Sequence, residues 1–248
     1  MVAAGSKGIG YACAESLAAE GCAVSICGRN EETAALAARR IGRNAKGYAC
    51  DVTDPKALAE WFKRTASDLG VPEILVTNTG GPPAGNVLDL TDEQWESGVQ
   101  STLMNVIRMV RLAVPGMKKA GWGRIVHITS LVAKEPAKLL PISSTIRSGL
   151  MSLTKLQAYE LAQAGITVNG VLPGHTDTDR QKHLIEVRAE KEGIDLNESM
   201  RRQAEGTAMK RFAEAREIGD VVTFLCSKQA AYVSGVSLLV DGATTCAV

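Results

Sequence analysis

The sequence has few aromatic residues and no excess of either charge. Aromatic side chains make up 4% of the 248 residues, and 28 Lys and Arg are balanced by 27 Asp and Glu, a net charge of +1. Proteins that bind nucleic acid usually carry a clear basic excess, and those that bind single strands stack the bases on aromatic side chains. We therefore expect no nucleic-acid partner.

Long apolar runs are also absent from the sequence. A membrane-spanning helix needs about 18 or more consecutive apolar residues, and no stretch approaches that length. The first ten residues, MVAAGSKGIG, contain no charged segment followed by an apolar one, so they are not expected to be a secretory signal. The sequence therefore predicts a cytoplasmic protein with no membrane partner.

The cysteines form no recognisable metal site. None of the six lies in a Cys-x-x-Cys pair, and no histidine cluster accompanies them, so a zinc site is not expected. No other metal site is predicted. We expect most of the cysteines to be small buried side chains with free thiols, as in a reducing cytoplasm.

What the chain does contain is an alternation of short apolar runs and longer helical patterns. The runs are bounded by Gly, Pro or Asn and are rich in β-branched residues or cysteine, as expected for buried parallel strands. The predicted strands are 22–27, 74–76, 125–128, 166–172 and 236–240, with helical patterns such as 34–41 and 58–69 between them. This alternation predicts one α/β domain over residues 1–248, with helices on both faces of a parallel sheet.

One segment departs from the alternation. Residues 177–211 are rich in charge and poor in large apolar side chains. One interpretation is an exposed helical excursion with a solvated face. The other is a mobile lid over a pocket, because long insertions in compact domains often have that role.

A glycine cluster, GSKGIG at residues 5–10, lies between a very short apolar start and a helical pattern. In a parallel α/β sheet, a glycine turn before the first helix lets backbone N–H groups approach a pyrophosphate at the helix N-terminus. The cluster therefore predicts a dinucleotide-binding loop.

The end of the next predicted strand indicates which dinucleotide is bound. In NAD sites an acidic residue near this position binds the ribose hydroxyls. Here the position holds Gly28, which is followed by Arg29. The cations Lys7 and Arg29 would suit a 2′-phosphate, so the sequence favours NADP(H) over NAD(H). The alternative for Arg29 is an ordinary cation beside a helix.

Only residues 1–4 precede the glycine loop, whereas strands are usually about five to six residues long. Either residues upstream are missing or the sheet tolerates a short central strand. We expect the cofactor-binding fold to survive, with a first strand that starts inside the sheet and pairs with its neighbours.

Almost from end to end, the chain resembles the short-chain dehydrogenase/reductase family. The family's TGxxxGxG loop is similar to the run Ala4, Gly5, Ser6, Lys7, Gly8, Ile9 and Gly10, with Ala4 in place of the first glycine. The adenine-binding Asp, the NNAG motif and the helix Asn of the family resemble Asp51 with Val52, Asn78 with Thr79 and Gly80, and Asn105. Its serine and its Pro-Gly motif resemble Ser130 and Pro173 with Gly174, Thr176 and Thr178. By this resemblance, Thr178 meets the nicotinamide carboxamide.

The closest subgroup in appearance is the β-ketoacyl-acyl-carrier-protein reductases. This resemblance implies a Rossmann-type, doubly wound sheet of seven parallel strands in the order 3-2-1-4-5-6-7. It implies a homotetramer, or else a dimer. It also implies hydride transfer between NADP(H) and a small carbonyl or alcohol substrate, of which an acyl thioester is one form.

The chain departs from the family at the proton-transfer pair. The family has a Tyr and, four residues later, a Lys, whereas this chain has Ser143 and Arg147 at those positions. The spacing places both on one helix face, and Arg147 could bind the ribose hydroxyls. Ser143 is a poor general acid because its hydroxyl has no pKa near neutrality. The catalytic candidates are therefore Asn105, Ser130, Ser143 and Arg147.

A histidine could stand in for the missing acid. His175 directly follows the Pro-Gly motif and is the candidate, with a solvent-facing loop residue as the alternative. We expect His127, in mid-strand, to fill the helix–sheet interface and His183 to belong to the exposed excursion.

Three functions stay open. The first is an NADP(H)-dependent oxidoreductase with an altered proton-transfer site, and the second is a catalytically weak or inactive protein that binds NADP(H) and regulates. The third is an enzyme of another class, such as a dehydratase or isomerase. The substrate is not readable from the sequence, and the candidate pocket walls are 81–86, 131–140 and 177–211.

Overall fold

A parallel sheet forms the centre of the fold. In the computed structural model, which describes residues 1–42 and 44–246, the strands are β1 (Ser25–Gly28), β2 (Lys46–Ala49), β3 (Ile74–Thr77), β4 (Gly123–Ile128), β5 (Ile166–Pro173) and β6 (Ser237–Val240). All their pairings are parallel. Strands β4 and β5 are buried along their whole length, as expected when helices cover both faces of a sheet.

The N-terminal residues complete the sheet between β1 and β3. Val2 bridges both Ile26 and Val76. Its N–H donates to the Ser25 carbonyl at 2.8 Å, and the Ala3 N–H donates to the Val76 carbonyl at 3.0 Å. The order is therefore β2, β1, N-terminal segment, β3, β4, β5, β6. This confirms the predicted order, and the short first strand starts inside the sheet and pairs with both neighbours.

Helices cover both faces of this sheet. They are α1 (Gly8–Ala19), α2 (Glu31–Ile41), α3 (Pro55–Leu69), α4 (Asp92–Val99), α5 (Asn105–Ala120), α6 (Pro141–Leu161), α7 (Asp179–Glu192), α8 (Leu196–Glu205) and α9 (Ala215–Cys226). One apolar core joins α1, α2 and α9 to the sheet around Ile26 and Val76. A second joins α3, α5 and α6 to it around Leu75 and Ile125. Within the described residues, no helix has both the length and the apolar character that crossing a membrane requires.

Four of the five predicted strands overlap β3 to β6. For the observed strands β1 and β2, the apolar pattern was misleading. The prediction for 22–27 was wrong over its first half, because β1 begins at Ser25. Strand β2 was missed because only Tyr48 in it is buried, so it contains no apolar run. The helices predicted from the patterns at 34–41 and 58–69 both begin three residues earlier in the structure, at Glu31 and Pro55. Asn30 caps α2 and Asp54 caps α3 through side-chain oxygens.

Residues 177–211 contain α7 and α8. Helix α7 contacts the loop after β3 at two points. The Arg180 Nη2 donates to the Pro82 carbonyl at 2.7 Å, and the Lys191 Nζ donates to Asn86 Oδ1 at 2.7 Å. The predicted excursion is therefore helical and is tied to residues 81–86, another predicted wall.

Candidate active site

A cavity of about 1120 Å³ lies at the carboxyl ends of the strands. All the predicted site residues line it except Gly10 and Asn105. Of the predicted walls, the loop at 81–86 contributes three residues around Pro82, and the stretch 131–140 contributes Leu140. Ligands of open α/β sheets bind outside the carboxyl ends of the strands, so this is the expected place for a dinucleotide.

The glycine loop needs its glycines for two different reasons. A side-chain carbon at Gly10 would lie 2.5 Å from the Ala4 carbonyl oxygen and 2.7 Å from Asn78 Nδ2, so no side chain fits there. Gly8 has a φ of +57°, in the left-handed region that favours glycine. Gly8 also begins α1, whose first N–H groups lack partners within the helix. The loop therefore presents free donors at the positive end of a helix.

Ala4 carries strain that a glycine would avoid. Its φ is +45°, a left-handed conformation that costs an L-residue about 1–2 kcal/mol. The Asn78 Nδ2 lies 3.3 Å from both the Ala3 and the Ala4 carbonyl oxygens and donates to them. These bonds hold the turn in the shape expected for a phosphate loop although its first glycine is missing.

The end of β1 carries no acidic side chain, because Gly28 occupies this position. A Cβ at Gly28 would lie 2.9 Å from Ser6 Oγ. Arg29, the next residue, is exposed. Asp51 Oδ1 accepts hydrogen bonds from the N–H and hydroxyl of Thr53 at 2.9 and 2.8 Å, and these bonds lower the pKa of the carboxyl. This part of the cavity thus offers a cation where an NAD site would carry an acid.

Lys7 links the glycine loop to α7. Its Nζ lies 3.1 Å from Asp179 Oδ2, and the two side chains are 75% and 72% exposed. An exposed pair of this kind contributes at most about 1 kcal/mol. Lys7 can therefore leave Asp179 for a phosphate at little cost.

Ser143 and Arg147 are buried in the first turns of α6. The Arg147 Nε donates to Ser143 Oγ at 3.1 Å, and its Nη1 donates to the carbonyls of Ile128 and Thr129 at 3.1 and 2.7 Å. The two side chains share a helix face, as their spacing predicts. The guanidinium is fixed against the end of β4, while its Nη2 donates no hydrogen bond within the part of the chain that the structure describes.

Arg147 is a buried cation. Burial, and after it the positive charge of Arg180, lower the pKa of Arg147 to about 10. The side chain therefore stays charged at neutral pH. It can stabilise negative charge that develops on an oxygen beside Ser143, but it cannot supply a proton there near neutrality.

Ser130 is a second hydroxyl in the same cavity. Its Oγ accepts a hydrogen bond from the Val132 N–H at 3.3 Å, which leaves its own proton free to donate. Ser130 and Ser143 can both donate hydrogen bonds to a substrate oxygen. Neither has a pKa near neutrality, so the site has donors but no strong general acid.

Asn105 lies behind the cavity wall and not on it. It is fully buried and follows a π-helical turn, Gln100–Met104, at the start of α5. Its Nδ2 has no hydrogen-bond partner among the residues that the structure describes. Single π-helical turns are frequent at functional sites, and a buried amide without a partner is a place where an ordered water is expected.

The residues after β5 connect the cavity to α7. A side-chain carbon at Gly174 would lie 2.6 Å from Asp241 Cα, so this close contact requires glycine. Thr178 caps α7, because its Oγ1 accepts from the Gln181 N–H at 3.3 Å, and it donates to the Thr176 carbonyl at 3.3 Å. Thr176 and Thr178 line the cavity together with Pro173.

No histidine of the described residues lines the cavity. The His175 ring packs edge-on against Phe212, with centroids 6.3 Å apart, and its Nδ1 lies 3.4 Å from Gln181 Nε2. Burial lowers the pKa of His175. The structure therefore does not support His175 as the stand-in acid. His127 is buried and His183 is exposed, as predicted.

The tyrosines Tyr11, Tyr159 and Tyr232 do not supply the missing general acid either. Tyr11 lines the cavity from α1 and donates to Glu15 Oε1 at 3.2 Å. Burial and the Glu15 carboxylate raise the pKa of Tyr11, which weakens it as an acid. Tyr159 and Tyr232 are exposed.

Arg180 is a cavity residue that the sequence pattern did not single out. It lies in the first turn of α7 and is half-buried. Its guanidinium packs over Gly81, where a Cβ would lie 2.9 Å from Nη2. One signal could have found it: Arg180 comes two residues after Thr178, where the last cofactor motif leads into a helix.

The fold and the cavity define a single-domain α/β protein of the Rossmann type. A family model described as Enoyl-(Acyl carrier protein) reductase matches residues 3–245. The chain belongs to this family, one of the short-chain dehydrogenases/reductases.

The chain is similar to known reductases over nearly its whole length. It is 32% identical to the 3-oxoacyl-(acyl-carrier-protein) reductase FabG of Escherichia coli (strain K12) over 242 residues, 98% of this chain and 95% of that one. L-sorbose reductase from Gluconobacter frateurii, solved with NADPH and L-sorbose, matches with a TM-score of 0.94, 30% identity and coverage of 100% and 96%. An actinorhodin polyketide ketoreductase solved with NADPH matches with a TM-score of 0.95, 30% identity and coverage of 98% and 95%. These relatives are oxidoreductases of the short-chain type.

Proposed function

We propose that this protein is an NADP(H)-dependent oxidoreductase that transfers hydride between nicotinamide and a carbonyl or alcohol substrate. One observation carries the proposal. A single cavity joins the glycine loop at residues 5–10 to the hydroxyls of Ser130 and Ser143 and to the guanidinium of Arg147. The bound cofactor would supply or accept the hydride there.

The residues of the cavity fit a dinucleotide. The α1 N-terminus, held by the turn at Gly8 and Gly10, offers N–H donors to a pyrophosphate. Asp51 and Val52 line the end where we place the adenine, and Thr178 lines the end where we place the nicotinamide. The remaining cofactor-binding residues of the proposal are Ala4, Ser6, Lys7, Ile9, Arg29, Asn78, Thr79, Gly80, Pro173, Gly174 and Thr176.

The preference for NADP(H) is supported by the charges around the end of β1. Gly28 stands where an acid would bind the ribose hydroxyls of NAD, and it has no side chain to do so. Arg29 and Lys7 line the cavity instead, and arginine suits a phosphate because its planar fork binds two oxygens. The two solved relatives described above were solved with NADPH.

The proposed roles in catalysis follow from the hydrogen bonds. Ser130 and Ser143 donate to the substrate oxygen, and Arg147 orients Ser143 and stabilises negative charge on that oxygen. Asn105 would hold a water behind the wall. Loss of general acid–base help typically lowers a rate by about 10²–10⁴-fold, so turnover is slow or the substrate needs little help with its proton.

We propose a 3-oxoacyl-type substrate as the starting point for a search. FabG acts on 3-oxoacyl groups carried by acyl carrier protein, as its name states, and the sorbose reductase acts on a sugar. What these substrates share is a carbonyl group. The substrate class proposed here is therefore a small carbonyl or alcohol compound, with an acyl thioester as one candidate form.

The alternative is a catalytically weak or inactive protein that binds NADP(H) and regulates. One observation favours it: Arg147 already donates three hydrogen bonds, to Ser143 Oγ and to the carbonyls of Ile128 and Thr129. A guanidinium fixed in this way can serve as a structural support for the cavity without any chemistry.

We also propose a homotetramer. The surface of α6 exposes Leu156 and Tyr159, and β6 exposes Leu238, at 63%, 70% and 41% of their surfaces. Large exposed apolar side chains on neighbouring elements favour an interface between copies. Light scattering behind a sizing column would measure the mass; a monomer would reject this assembly.

Residues 177–211 are proposed as a lid, and the cytoplasm as the location. The lid is supported by the small number of polar links that the described residues form between α7 and the far side of the cavity, which are the exposed Lys7–Asp179 pair and the hydrogen bonds of Arg180 to Pro82 and of Lys191 to Asn86. The location is supported by the cysteines, because all six have free thiols and disulfides are rare in that compartment.

Fluorescence titration with NADPH and with NADH tests the shared premise, because both readings of the site need the cofactor. If neither binds, the proposal fails. A carbonyl panel at high protein concentration then separates the two candidates. Slow reduction of at least one carbonyl supports the oxidoreductase, whereas firm NADPH binding without any turnover supports the binding protein.

A further inference from the structure

The two cavity arginines that are buried or half-buried have no acidic partner in the described residues. Neither Arg147 nor Arg180 forms an ion pair with a carboxylate in the described residues, whereas Lys7 and Lys182 on the same cavity do. A buried or half-buried cation without a counter-ion is costly. Such a pair therefore points to an anion that comes from outside the chain.

The free donors of the pair are specific atoms. Arg147 is 6% exposed and uses Nε and Nη1, which leaves Nη2 without a hydrogen bond in the described residues. Arg180 uses one N–H of Nη2 on the Pro82 carbonyl, which leaves the donors of Nε and Nη1 and the second N–H of Nη2. Both side chains are held by main-chain carbonyls, so their free donors are preorganised.

The two arginines belong to other segments of the chain than the cations assigned to the 2′-phosphate. Arg147 is bonded to Ser143, and Arg180 packs over Gly81, just after the Asn78–Gly80 stretch. The cations assigned above to the 2′-phosphate are Lys7 and Arg29, on the glycine loop and after β1. Arg147 therefore lies beside the hydroxyls that would hold the reacting oxygen, and Arg180 is near enough to Arg147 for its positive charge to lower the pKa of Arg147.

We propose that Arg180, together with Arg147, binds a carboxylate carried by the substrate, so that the preferred substrates are oxo acids or hydroxy acids. This inference rests on the proposed oxidoreductase function and narrows its substrate class. Arginine suits a carboxylate because two of its N–H groups can bind both oxygens in parallel. Ser130 and Ser143 remain free to hold the carbonyl or alcohol oxygen of the same molecule.

Calorimetric titration tests this with matched acid and ester probes. The probes are 2-oxopentanoate and 4-oxopentanoate, each beside its neutral methyl ester, added to protein loaded with NADP⁺. We expect at least one acid to bind more tightly than its ester, and Arg180→Gln to weaken that acid by about 10- to 100-fold, since hydrogen bonds to charged groups have that strength. Ester binding should not change.

Lys182→Gln is the matched control. It removes one positive charge from the same helix, but Lys182 is exposed and paired with Asp177, so acid binding should be unchanged. Equal binding of acid and ester by the wild type, or an unchanged preference in Arg180→Gln, would overturn the proposal. So would equal losses in the two variants, which would show a general effect of charge.

Two further outcomes keep the inference apart from the proposed function. Displacement of NADP⁺ by the acid would mean that the acid occupies the cofactor's phosphate site, and this overturns the inference alone. Absence of NADP⁺ binding overturns the proposed function. The acid titration of cofactor-free wild type and Arg180→Gln still decides whether Arg180 binds a carboxylate.

Discussion

The Nε of Arg147 donates a hydrogen bond of 3.1 Å to the Oγ of Ser143, one turn earlier in α6. A cation and a hydroxyl therefore stand at the two positions where the sequence resemblance leads us to expect a lysine and a tyrosine. Their geometry suits the binding of a substrate oxygen. Their chemistry differs, because neither group exchanges a proton near neutral pH.

Restoring the family pair should raise the rate of carbonyl reduction. The double variant Ser143→Tyr with Arg147→Lys adds a general acid and a cation that lowers its pKa, which typically accelerates proton transfer by about 10²–10⁴-fold. The initial rate of NADPH oxidation measures this. Thr145→Tyr, at an exposed position of α6, is the control and should leave the rate unchanged. No gain in the double variant, with NADPH still bound, would contradict the assignment of these positions.

The substitution Ala4→Gly should stabilise the protein. Ala4 has a φ of +45°, and glycine would relieve strain of about 1 kcal/mol. Urea unfolding measures the free energy of unfolding. Ala3→Gly is the control and should destabilise, because Ala3 is fully buried in the sheet and needs no left-handed conformation. A loss of stability in Ala4→Gly would show that the turn is not strained.

The variant Arg29→Gln should bind NADPH about tenfold more weakly, as expected for one lost hydrogen bond to a charged group at an exposed site. Its affinity for NADH should stay the same, because NADH has no 2′-phosphate. Arg39→Gln, an exposed cation of α2, should change neither affinity. Equal losses for both cofactors would place Arg29 outside the phosphate site.

His127 should make the protein less stable in mild acid. It is bonded to Thr77 Oγ1 and Gln157 Oε1, both at 2.8 Å, and burial lowers its pKa from 6.5 to about 4. Between these values the unfolded chain binds a proton that the native protein does not, so stability is fully present above pH 6.5 and falls as the pH drops towards 4. The loss amounts to about 3 kcal/mol at most.

Unfolding by urea at pH 7 and at pH 4.5 measures the effect of His127. His127→Gln should lose less stability between these two values than the wild type, because it removes the titrating group. His183→Gln, at an exposed site, should behave like the wild type. An unchanged dependence in His127→Gln would assign the acid sensitivity to other groups.

Much of the fold could be predicted because the buried strands are apolar runs. Strands β3 to β6 were predicted for this reason. Strand β2 was not, since it buries only Tyr48 and lies at the sheet edge, where nothing demands an apolar run. The pairing of Val2 with both β1 and β3 could be inferred only from the position of the glycine loop, which follows Val2 in the sequence.

The residues of the candidate site were likewise predicted only in part. The glycine loop was predicted from its position before a helical pattern, and Ser130 and Ser143 were predicted from the resemblance to the family's motifs. Arg180 was missed, although it follows Thr178 by two residues, because its place in the cavity depends on contacts with Gly81 and Pro82, which are distant in sequence. Asn105 lies behind the cavity wall, directly after the π-helical turn Gln100–Met104. Such a turn leaves no clear pattern in the sequence, so this position could not be predicted.

Transfer of deuterium from NADPH labelled at C4 tests the central claim most directly. Protein at stoichiometric concentration, labelled NADPH and an oxo-acid substrate are incubated for a single turnover, and the alcohol product is examined by mass spectrometry. We predict one deuterium in the product, and none with Gly10→Ala, whose side chain would collide with the Ala4 carbonyl. Firm NADPH binding without any deuterium in a product, across oxo acids and neutral carbonyls alike, would contradict the account.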